Sequence, residues 1–204
     1  MMSKDIACVF DLDGTLYSQS SLAIENMRKI VIKTIACNYS ISIDEAIDIY
    51  RSLPATYPNP YDGFQSVGIS PEKYQSFFVD IEGWKDINTD SNLKTLFMKL
   101  TSLADVFIVS FAPQIHVSNM LKAIGIDSYV LRTYSVSKDT EYKKDEFFKK
   151  ISEKYSTRYA IGDVFENDLK PALNWGYDIF LVDNSSSKEN IYNIILKIIS
   201  LINS

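Results

Sequence analysis

With 204 residues, of which 46% are hydrophobic and 23% charged, the chain has the composition of a globular protein with one core and a modest accessory lobe. This composition excludes a disordered chain, and the formal net charge of -5 opposes binding to the phosphates of nucleic acid, which we do not expect as a partner. The apolar stretches are too short to span a membrane and the two cysteines suggest no disulfide framework, so we expect a cytoplasmic protein.

The first predicted element is a strand at residues 6–10, a short apolar run that ends in polar residues, as in strands buried on both faces of a sheet. Further strands are predicted at 106–109, 129–131, 159–161 and 179–182. Helices are predicted at 114–124, 145–155, 166–175 and 188–203, and Gly125 and Gly176 mark helix ends. This alternation predicts an α/β fold with a parallel sheet, in which ligands bind beyond the carboxyl ends of the strands.

Residues 18–86 interrupt the alternation, because they carry helix signals without convincing strands between them. Ser42 and Glu45 form a capping box, and Ser70 followed by Pro71 supplies an N-cap and a first-turn proline. Between these two helix starts, the composition predicts an irregular loop around Pro54, Pro58, Pro60 and Gly63. The predicted architecture is a sheet-containing core with an inserted helical lobe.

The strongest local signal is the sequence Asp-Leu-Asp-Gly-Thr at 11–15, directly after the first predicted strand. Residues two apart in an extended segment point to the same side, so Asp11 and Asp13 aim both carboxylates into one pocket. Their repulsion is tolerable if a divalent cation lies between them, or if one holds a proton with a raised pKa. Gly14 and Thr15 form a turn whose amides can approach an anion, although Asp and Gly are also common in surface turns.

Two polar signals further along the chain indicate a phosphate site. Ser110 closes the strand at 106–109, and its hydroxyl can hold phosphate oxygens together with the backbone amides of Phe111 and Ala112. Lys144, at the start of the helix at 145–155, supplies a cation for the charge of a transferring phosphoryl group.

Acidic residues follow the strand predicted at 159–161. Gly162 and Asp163 come directly after it, and Asp168 lies on the next helix. Since the carboxyl ends of parallel strands meet at one edge of a sheet, these carboxylates can complete a site begun by Asp11. Magnesium prefers such oxygen ligands, so the sequence predicts a Mg²⁺ site at this edge.

In this order, the four elements resemble the four motifs of the haloacid dehalogenase superfamily: an Asp-x-Asp-Gly-Thr loop, a Ser or Thr after the second strand, a Lys, and a Gly-Asp-x-x-x-x-Asp loop. The resemblance spans nearly the whole chain and extends to the spacing of Asp168, Leu169, Ala172 and Gly176. It implies a Rossmann-like core, residues 1–17 and 87–204, and a helical cap, residues 18–86, inserted between the first and second motifs.

The resemblance also implies a phosphohydrolase that acts on a small phosphorylated metabolite. Asp11 is then the nucleophile that forms an aspartyl phosphate, and Asp13 protonates the leaving oxygen and later activates water. Mg²⁺ is held by Asp11, the backbone carbonyl of Asp13, and Asp163. Asp168 is either a further ligand through water or the partner that orients the Lys, and the outer role is favoured.

The third and second motifs depart from the family's pattern. The third often reads Lys-Pro, whereas here Lys143 and Lys144 are adjacent and no proline follows. Lys144 fits better, because the helix then turns its apolar residues inward, but Lys143 stays an alternative. After Ser110 the family often has Asn where this chain has Phe111, which leaves the phosphate contact there to backbone amides.

A narrower resemblance concerns the substrate. Residues 11–17, the capping-box helix and the Gly-Ile-Ser-Pro sequence at 68–71 are similar to the pyrimidine 5'-nucleotidase branch, which implies a nucleoside monophosphate. The alternatives are a sugar phosphomutase, which uses the same two aspartates, and a non-catalytic binding module of the same fold. Dehalogenation is disfavoured, because Asp13 and Asp163 imply an acid/base and a metal that carbon–halogen displacement does not need. Neither the individual substrate nor the oligomeric state can be read from the sequence.

Several further residues invite a functional interpretation that we do not favour. His116 is the only histidine, but the sequence offers it no evident partner, so we expect a structural or surface role. Cys8 lies on the first predicted strand and is expected in the core. A group of cap residues either lines the mouth of the pocket or packs within the cap: Tyr17, Arg51, Tyr57, Tyr61 and Phe64.

Overall fold

The computed structural model describes residues 4–18, 21–57, 59–78, 87–136, 143–183 and 189–204. Five strands form one sheet: β1 (Ile6–Phe10), β2 (Asp105–Ser110), β3 (Arg132–Ser135), β4 (Thr157–Gly162) and β5 (Asp178–Leu181). Their order in the sheet is β3-β2-β1-β4-β5, and every neighbouring pair is parallel. The predicted α/β fold with a parallel sheet is therefore confirmed.

Strand β1 lies at the centre of the sheet, which explains its continuous apolar sequence. Phe10 pairs with Ile108 of β2 on one side and with Ile161 of β4 on the other. The chain builds β2 and β3 on one side of β1 and then crosses to build β4 and β5 on the opposite side. The carboxyl ends of β1 and β4 therefore meet at a topological switch point, where ligands bind in open α/β sheets.

Alternate residues of β1 face two helical layers. Cys8 and Phe10 belong to the larger hydrophobic core, and the Phe10 ring packs against Phe97 with centroids 5.2 Å apart. Ala7 and Val9 belong to a second core on the opposite face. The first layer contains α5 (Ser91–Leu103), α6 (Gln114–Ile124) and α9 (Glu189–Ile202), and the second contains α7 (Asp145–Ser152) and α8 (Lys170–Leu173).

Between β1 and α5 the described residues 21–57 and 59–78 form four helices and no strand: α1 (Leu22–Tyr39), α2 (Ile43–Thr56), α3 (Pro60–Ser66) and α4 (Pro71–Ser76). The capping box at the start of α2 is confirmed, since Glu45 N donates to Ser42 Oγ and Ser42 N donates to Glu45 Oε2. Ser70 caps α4 by accepting from Lys73 N at 3.2 Å.

The predicted loop around the prolines is wrong. Pro54 lies in the last turn of α2, and Pro60 and Gly63 lie in α3; Pro58 is outside the described residues. Proline fits the first turn of a helix, because its missing N–H has no partner there, and Asn59 caps that turn by accepting from Tyr61 N at 2.9 Å. The composition alone did not distinguish this helix start from a loop.

The strand predicted at 129–131 is also wrong. Asp127–Tyr129 forms a single 3-10 turn, and the strand begins at Arg132. Tyr129 and Val130 pack against the larger core. Strand β3 pairs with β2 along one edge and has a polar sequence. Burial, and not strand pairing, accounts for the apolar residues at 129 and 130.

The helix predicted at 166–175 is more irregular than expected. A π-helical turn, Phe165–Leu169, precedes the short α8. Within the described part of the chain, no helix combines the length and apolarity needed to cross a membrane.

Candidate functional site

The predicted site residues meet where β1, β2 and β4 end. Asp11 follows β1 and continues its pairing with β4, because Asp11 N donates to Ile161 O at 2.8 Å. Ser110 is the last residue of β2, and Asp163 is the first after β4. These loops enclose a chamber of about 130 Å³, called here the polar chamber, whose lining includes Asp11, Asp13, Ser110, Phe111, Ala112, Asp163 and Asp168.

The loop after β1 is a tight turn in which Gly14 adopts a φ of +91°, a conformation that glycine adopts without strain. The amide of Gly14 donates to Tyr17 O, and the amide of Thr15 donates to Leu12 O. Both amides are therefore used within their own loop, which differs from the prediction that they meet an anion. The Thr15 hydroxyl lies 3.3 Å from an oxygen of Asp11 and 3.3 Å from an oxygen of Asp163.

Lys144 is buried beside the acidic residues. Its Nζ donates to Asp11 Oδ1 at 2.6 Å and to Asp168 Oδ1 at 2.8 Å, and it lies 4.9 Å from the centroid of the Phe111 ring. Burial alone would lower the pKa of Lys144, but the charges of Asp11 and Asp168 outweigh burial and raise the pKa above its ordinary value. Lys144 therefore stays charged in its buried position. Lys143, the alternative that the sequence left open, has an exposed side chain.

The carboxylates carry more negative charge than Lys144 balances. Oxygen atoms of Asp11, Asp163 and Asp168 lie within 4.8 Å of one another. Burial raises the pKa of Asp11 well above its ordinary value, and the charge of Asp168 raises it further, while Lys144 opposes this rise. A set of closely spaced carboxylate oxygens is the donor set that suits a hard divalent cation, so these residues fit Mg²⁺.

Asp168 is held from two sides. Its Oδ1 accepts from Lys144, and its Oδ2 accepts from Val164 N at 2.9 Å. A Cβ on Gly162 would lie only 2.3 Å from Asp168 Cβ, so the glycine at the end of β4 is needed for this close approach. One oxygen of Asp168 therefore contacts Lys144, and the other is held by the backbone of the loop after β4.

Ser110 lies on the other side of the polar chamber. It is buried, and its Oγ accepts from Ala112 N at 3.0 Å and lies 3.4 Å from Asp13 Oδ2. The carbonyl of Phe111 accepts from the Tyr61 hydroxyl at 2.8 Å, which ties this loop to α3. The Ser110 hydroxyl therefore faces the same chamber as both aspartates of the first motif.

His116 has a partner that the sequence did not reveal. It is buried on α6, and its Nε2 lies 2.9 Å from Asp13 Oδ1 and 3.1 Å from the Tyr17 hydroxyl, which also donates to Asp13 Oδ1. Burial would raise the pKa of Asp13, but the charge of His116 and the hydrogen bonds from His116 and Tyr17 outweigh it and lower the pKa. One signal could have found this contact: His116 and Met120 lie four residues apart on the buried face of α6, and a buried imidazole needs a polar partner.

A second, larger cavity of about 270 Å³ adjoins the polar chamber beneath α1–α4 and is called here the apolar chamber. Its wall includes Met27, Tyr50, Leu53, Tyr57, Phe64 and Tyr74. Of the residues predicted at the pocket mouth, Tyr57 and Phe64 thus line it. Tyr17 and Tyr61 are buried in other contacts, and Arg51 is exposed.

No model of a known protein family matches the chain, and neither does any curated protein. A haloacid dehalogenase-like hydrolase from Streptococcus pneumoniae is 16% identical with a TM-score of 0.61, over 96% of this chain and 97% of that chain. A haloacid dehalogenase family enzyme from Bacteroides thetaiotaomicron, in complex with magnesium and inorganic phosphate, is 20% identical with a TM-score of 0.51, over 89% and 96%. A 2-haloacid dehalogenase from Pseudomonas syringae is 11% identical with a TM-score of 0.53, over 94% and 97%. The chain has the haloacid dehalogenase fold.

The haloacid dehalogenase fold does not by itself fix the reaction, because one fold can host different chemistries. The reaction must be argued from the side chains of this chain. Its haloacid dehalogenase fold brings together residues from all four predicted motifs, namely Asp11 and Asp13, Ser110, Lys144, and Asp163 and Asp168.

Proposed function

We propose that the protein is a Mg²⁺-dependent phosphohydrolase that cleaves a small phosphomonoester through an aspartyl phosphate on Asp11. The observation that carries the proposal is the contact of Asp11 with the buried ammonium of Lys144, within 4.8 Å of oxygens of Asp163 and Asp168. A carboxylate held at the end of a rigid strand, beside a fixed cation, is well placed for nucleophilic attack on phosphorus.

In the first half of the reaction, a carboxylate oxygen of Asp11 attacks phosphorus. The new bond between Asp11 and phosphorus forms as the bond from phosphorus to the ester oxygen breaks. Asp13, on which the negative charge of the bound phosphate favours a proton against the effect of His116 and Tyr17, gives that proton to the ester oxygen. An alcohol leaves, and Asp13 becomes a carboxylate. Ser110 donates to an oxygen of the phosphoryl group, and Lys144 balances its charge.

In the second half, Asp13 accepts a proton from water while the water oxygen attacks the phosphorus of the aspartyl phosphate. The bond between phosphorus and Asp11 breaks, inorganic phosphate leaves, and both aspartates return to their starting states. The same carboxyl group thus acts first as an acid and then as a base, and one proton returns to it in each cycle.

Asp11, Asp163 and the backbone carbonyl of Asp13 would hold Mg²⁺, with Asp168 in the outer role of orienting Lys144. Bound there, Mg²⁺ would offset the repulsion between the carboxylates and the phosphate. The Bacteroides thetaiotaomicron structure, in complex with magnesium and inorganic phosphate, supports a metal site and a phosphate site in this fold.

We also infer that α1–α4 act as a cap over the polar chamber, with residues 18–86 as the inserted unit and residues 1–17 and 87–204 as the core. Tyr74 of α4 and Met27 of α1 line the polar chamber together with the strand ends, which supports this division. A nucleoside monophosphate, as in the pyrimidine 5'-nucleotidase branch, is the narrower substrate that we propose.

The test is a phosphate-release assay over nucleotides, sugar phosphates and phosphoamino acids with Mg²⁺, in which stoichiometric release of inorganic phosphate distinguishes hydrolysis from a phosphomutase. Asp11→Asn removes the nucleophile, so we expect turnover to be abolished while substrate binding survives. Asp48→Asn, an identical change at an exposed position of α2, serves as the matched control. If Asp11→Asn kept rates near those of the wild type, Asp11 would not be the nucleophile.

A further inference from the structure

The two chambers meet at Asp13. Asp13, Met27 and Tyr74 line both of them. The polar chamber, at about 130 Å³, is the smaller of the two and contains the acids and Ser110. If a phosphoryl group lies there with its ester oxygen at Asp13, the rest of the alcohol must extend into the apolar chamber of about 270 Å³.

The wall of the apolar chamber favours some alcohols over others. Tyr50, Tyr57, Phe64 and Tyr74 contribute aromatic rings, and Phe64 and Tyr74 stack on each other with centroids 4.5 Å apart. A flat ring can pack against such a wall over its whole face. A sugar would bury several hydroxyls against apolar carbon, and each hydroxyl without a partner costs free energy.

Charge restricts the occupant further. Of the described residues that line the apolar chamber, Asp13 is the one carboxylate and Arg28 the one cation. The Arg28 guanidinium offers N–H donors to a ring that carries carbonyl or hydroxyl oxygens. A mostly apolar wall with few polar groups is typical of a site that binds an uncharged ring and uses the polar groups to orient it.

From these shared lining residues and this wall we infer that the leaving group is an alcohol bearing a flat, uncharged ring, bound in the apolar chamber, so that the enzyme prefers ring-bearing phosphomonoesters to sugar phosphates. The inference rests on the proposed function, since it takes Asp13 as the group that meets the ester oxygen.

The first experiment measures kcat/KM for three phosphate compounds with Mg²⁺. Benzyl phosphate carries a flat ring on a primary alcohol, glucose 6-phosphate carries a polyol on a primary alcohol, and acetyl phosphate tests the chemistry with acetate, a leaving group too small to fill the apolar chamber. We expect kcat/KM for benzyl phosphate to exceed that for glucose 6-phosphate by at least about tenfold, the lower end of what a fitted apolar pocket provides.

The second experiment fills the apolar chamber. A Cβ on Gly63 would meet Tyr57 and Leu53 at 3.5 and 3.6 Å, which are ordinary contact distances, so Gly63→Ala fits and Gly63→Leu extends into the chamber. We expect Gly63→Leu to lower the ratio of kcat/KM for benzyl phosphate to that for acetyl phosphate by about tenfold. Gly63→Ala should shift the ratio less, in the same direction. Gln65→Leu, at an exposed position of the same helix, is the matched control and should keep the ratio.

The outcomes separate this inference from the proposed function. Hydrolysis of acetyl phosphate without any preference for benzyl phosphate over glucose 6-phosphate would overturn the inference and leave the phosphohydrolase intact. An unchanged ratio in folded Gly63→Leu would overturn it as well. No magnesium-dependent hydrolysis of any of the three compounds would contradict the proposed function itself.

A different observation carries a second inference. His116 Nε2 and the Tyr17 hydroxyl both contact Oδ1 of Asp13, while Oδ2 lies towards Ser110. Because a carboxylate oxygen only accepts, Nε2 must carry the hydrogen of this contact. The Phe78 ring packs edge-on against the imidazole with centroids 4.8 Å apart, which fixes its orientation.

We propose that His116 and Tyr17 are positioning residues that hold Oδ1 of Asp13, so that Oδ2 faces the ester oxygen in the polar chamber. The role concerns geometry, because both contacts are made to one oxygen, while the other has only the long 3.4 Å contact with Ser110 and faces the polar chamber. A misplaced Asp13 should harm esters whose leaving oxygen needs a proton and spare those that leave as stable anions.

The test compares single-turnover release of phenol from phenyl phosphate with release of nitrophenol from p-nitrophenyl phosphate. We expect His116→Ala to slow phenol release about tenfold more than nitrophenol release, with KM little changed. His116→Gln, whose amide can still donate, should recover part of the loss. Equal losses for the two esters in variants with a wild-type circular dichroism spectrum would overturn the proposal, as would no loss at all.

Discussion

The polar chamber and the apolar chamber adjoin each other, yet they are built differently. The polar chamber takes its acids, hydroxyl and ammonium from loops that follow separate strands, and Asp11 and Lys144 are 133 residues apart in sequence. The wall of the apolar chamber comes mostly from α1–α4, which are consecutive in the chain. The proposed chemistry therefore depends on distant loops that the sheet brings together, while the proposed selectivity depends on one local helical segment.

Removal of metal is the most severe test of this comparison. We expect a chelator to lower turnover by about 10³-fold, the equivalent of several kcal/mol, because the carboxylates then repel the phosphate, and we expect added Mg²⁺ to restore it. Phosphate release with and without chelator gives the answer. Turnover that persists in fully metal-free protein would mean that Lys144 alone balances the charge of the polar chamber.

Lys144→Met tests the buried cation. We expect kcat/KM to fall about 10²- to 10³-fold, since the variant removes a charge-stabilising donor from the site. Lys143→Met is the matched control, because Lys143 is exposed and adjacent in sequence. Similar losses in the two variants would show that the contact of Lys144 with Asp11 and Asp168 does not decide the activity.

A matched pair of leucines compares the packing of the two regions. Leu100 is wholly buried on α5 behind the sheet, whereas Leu53 borders the apolar chamber. We expect Leu100→Ala to lower the free energy of unfolding by about 3 kcal/mol and Leu53→Ala by about 1 to 2 kcal/mol, because Leu53 already faces open space on one side. Urea denaturation measures both, and equal losses would contradict an open apolar chamber.

Ser110→Ala has the smallest expected effect. Loss of one hydroxyl donor to the phosphoryl group should lower kcat/KM roughly tenfold, the value of a single hydrogen bond of about 1.4 kcal/mol. Ser102→Ala, at an exposed position of α5, provides the control in the same phosphate-release assay. A loss no larger than that of the control would remove Ser110 from the proposed phosphate site.

The sequence predicted those parts of the molecule whose local sequence pattern already indicates what they pack against. β1 is apolar on both faces, and a short run of this kind is typical of a central strand that is buried on both sides of a parallel sheet. The acids after β1 and β4 were predicted to meet, because parallel strands bring their carboxyl ends together. β3 was misplaced because an edge strand needs no apolar sequence, while the neighbouring apolar residues pack without forming a strand.

Other features depend on tertiary contacts that no local pattern records. The partner of His116 is Asp13, which lies 103 residues earlier, and only the packing of α6 beside the first loop brings them together. The sequence favoured packing within the cap for Tyr57 and Phe64, whereas they line the apolar chamber, whose volume depends on the angles between four helices. The sequence predicted a loop at the start of α3, because Asn59 was not recognised as the N-cap that precedes a first-turn proline.

The pairing of Asp11 with Lys144 has a consequence for how the protein can be studied. Since the two residues are brought together only by folding, an unfolded chain has no preformed site, and any ligand that fits this site binds the native state alone. Such a ligand at 100 times its Kd adds about 2.7 kcal/mol to native stability. Thermal melts of the Asp11→Asn variant, which we expect to bind its ligands without turning them over, can therefore rank candidate phosphate esters by the increase in Tm that each one produces.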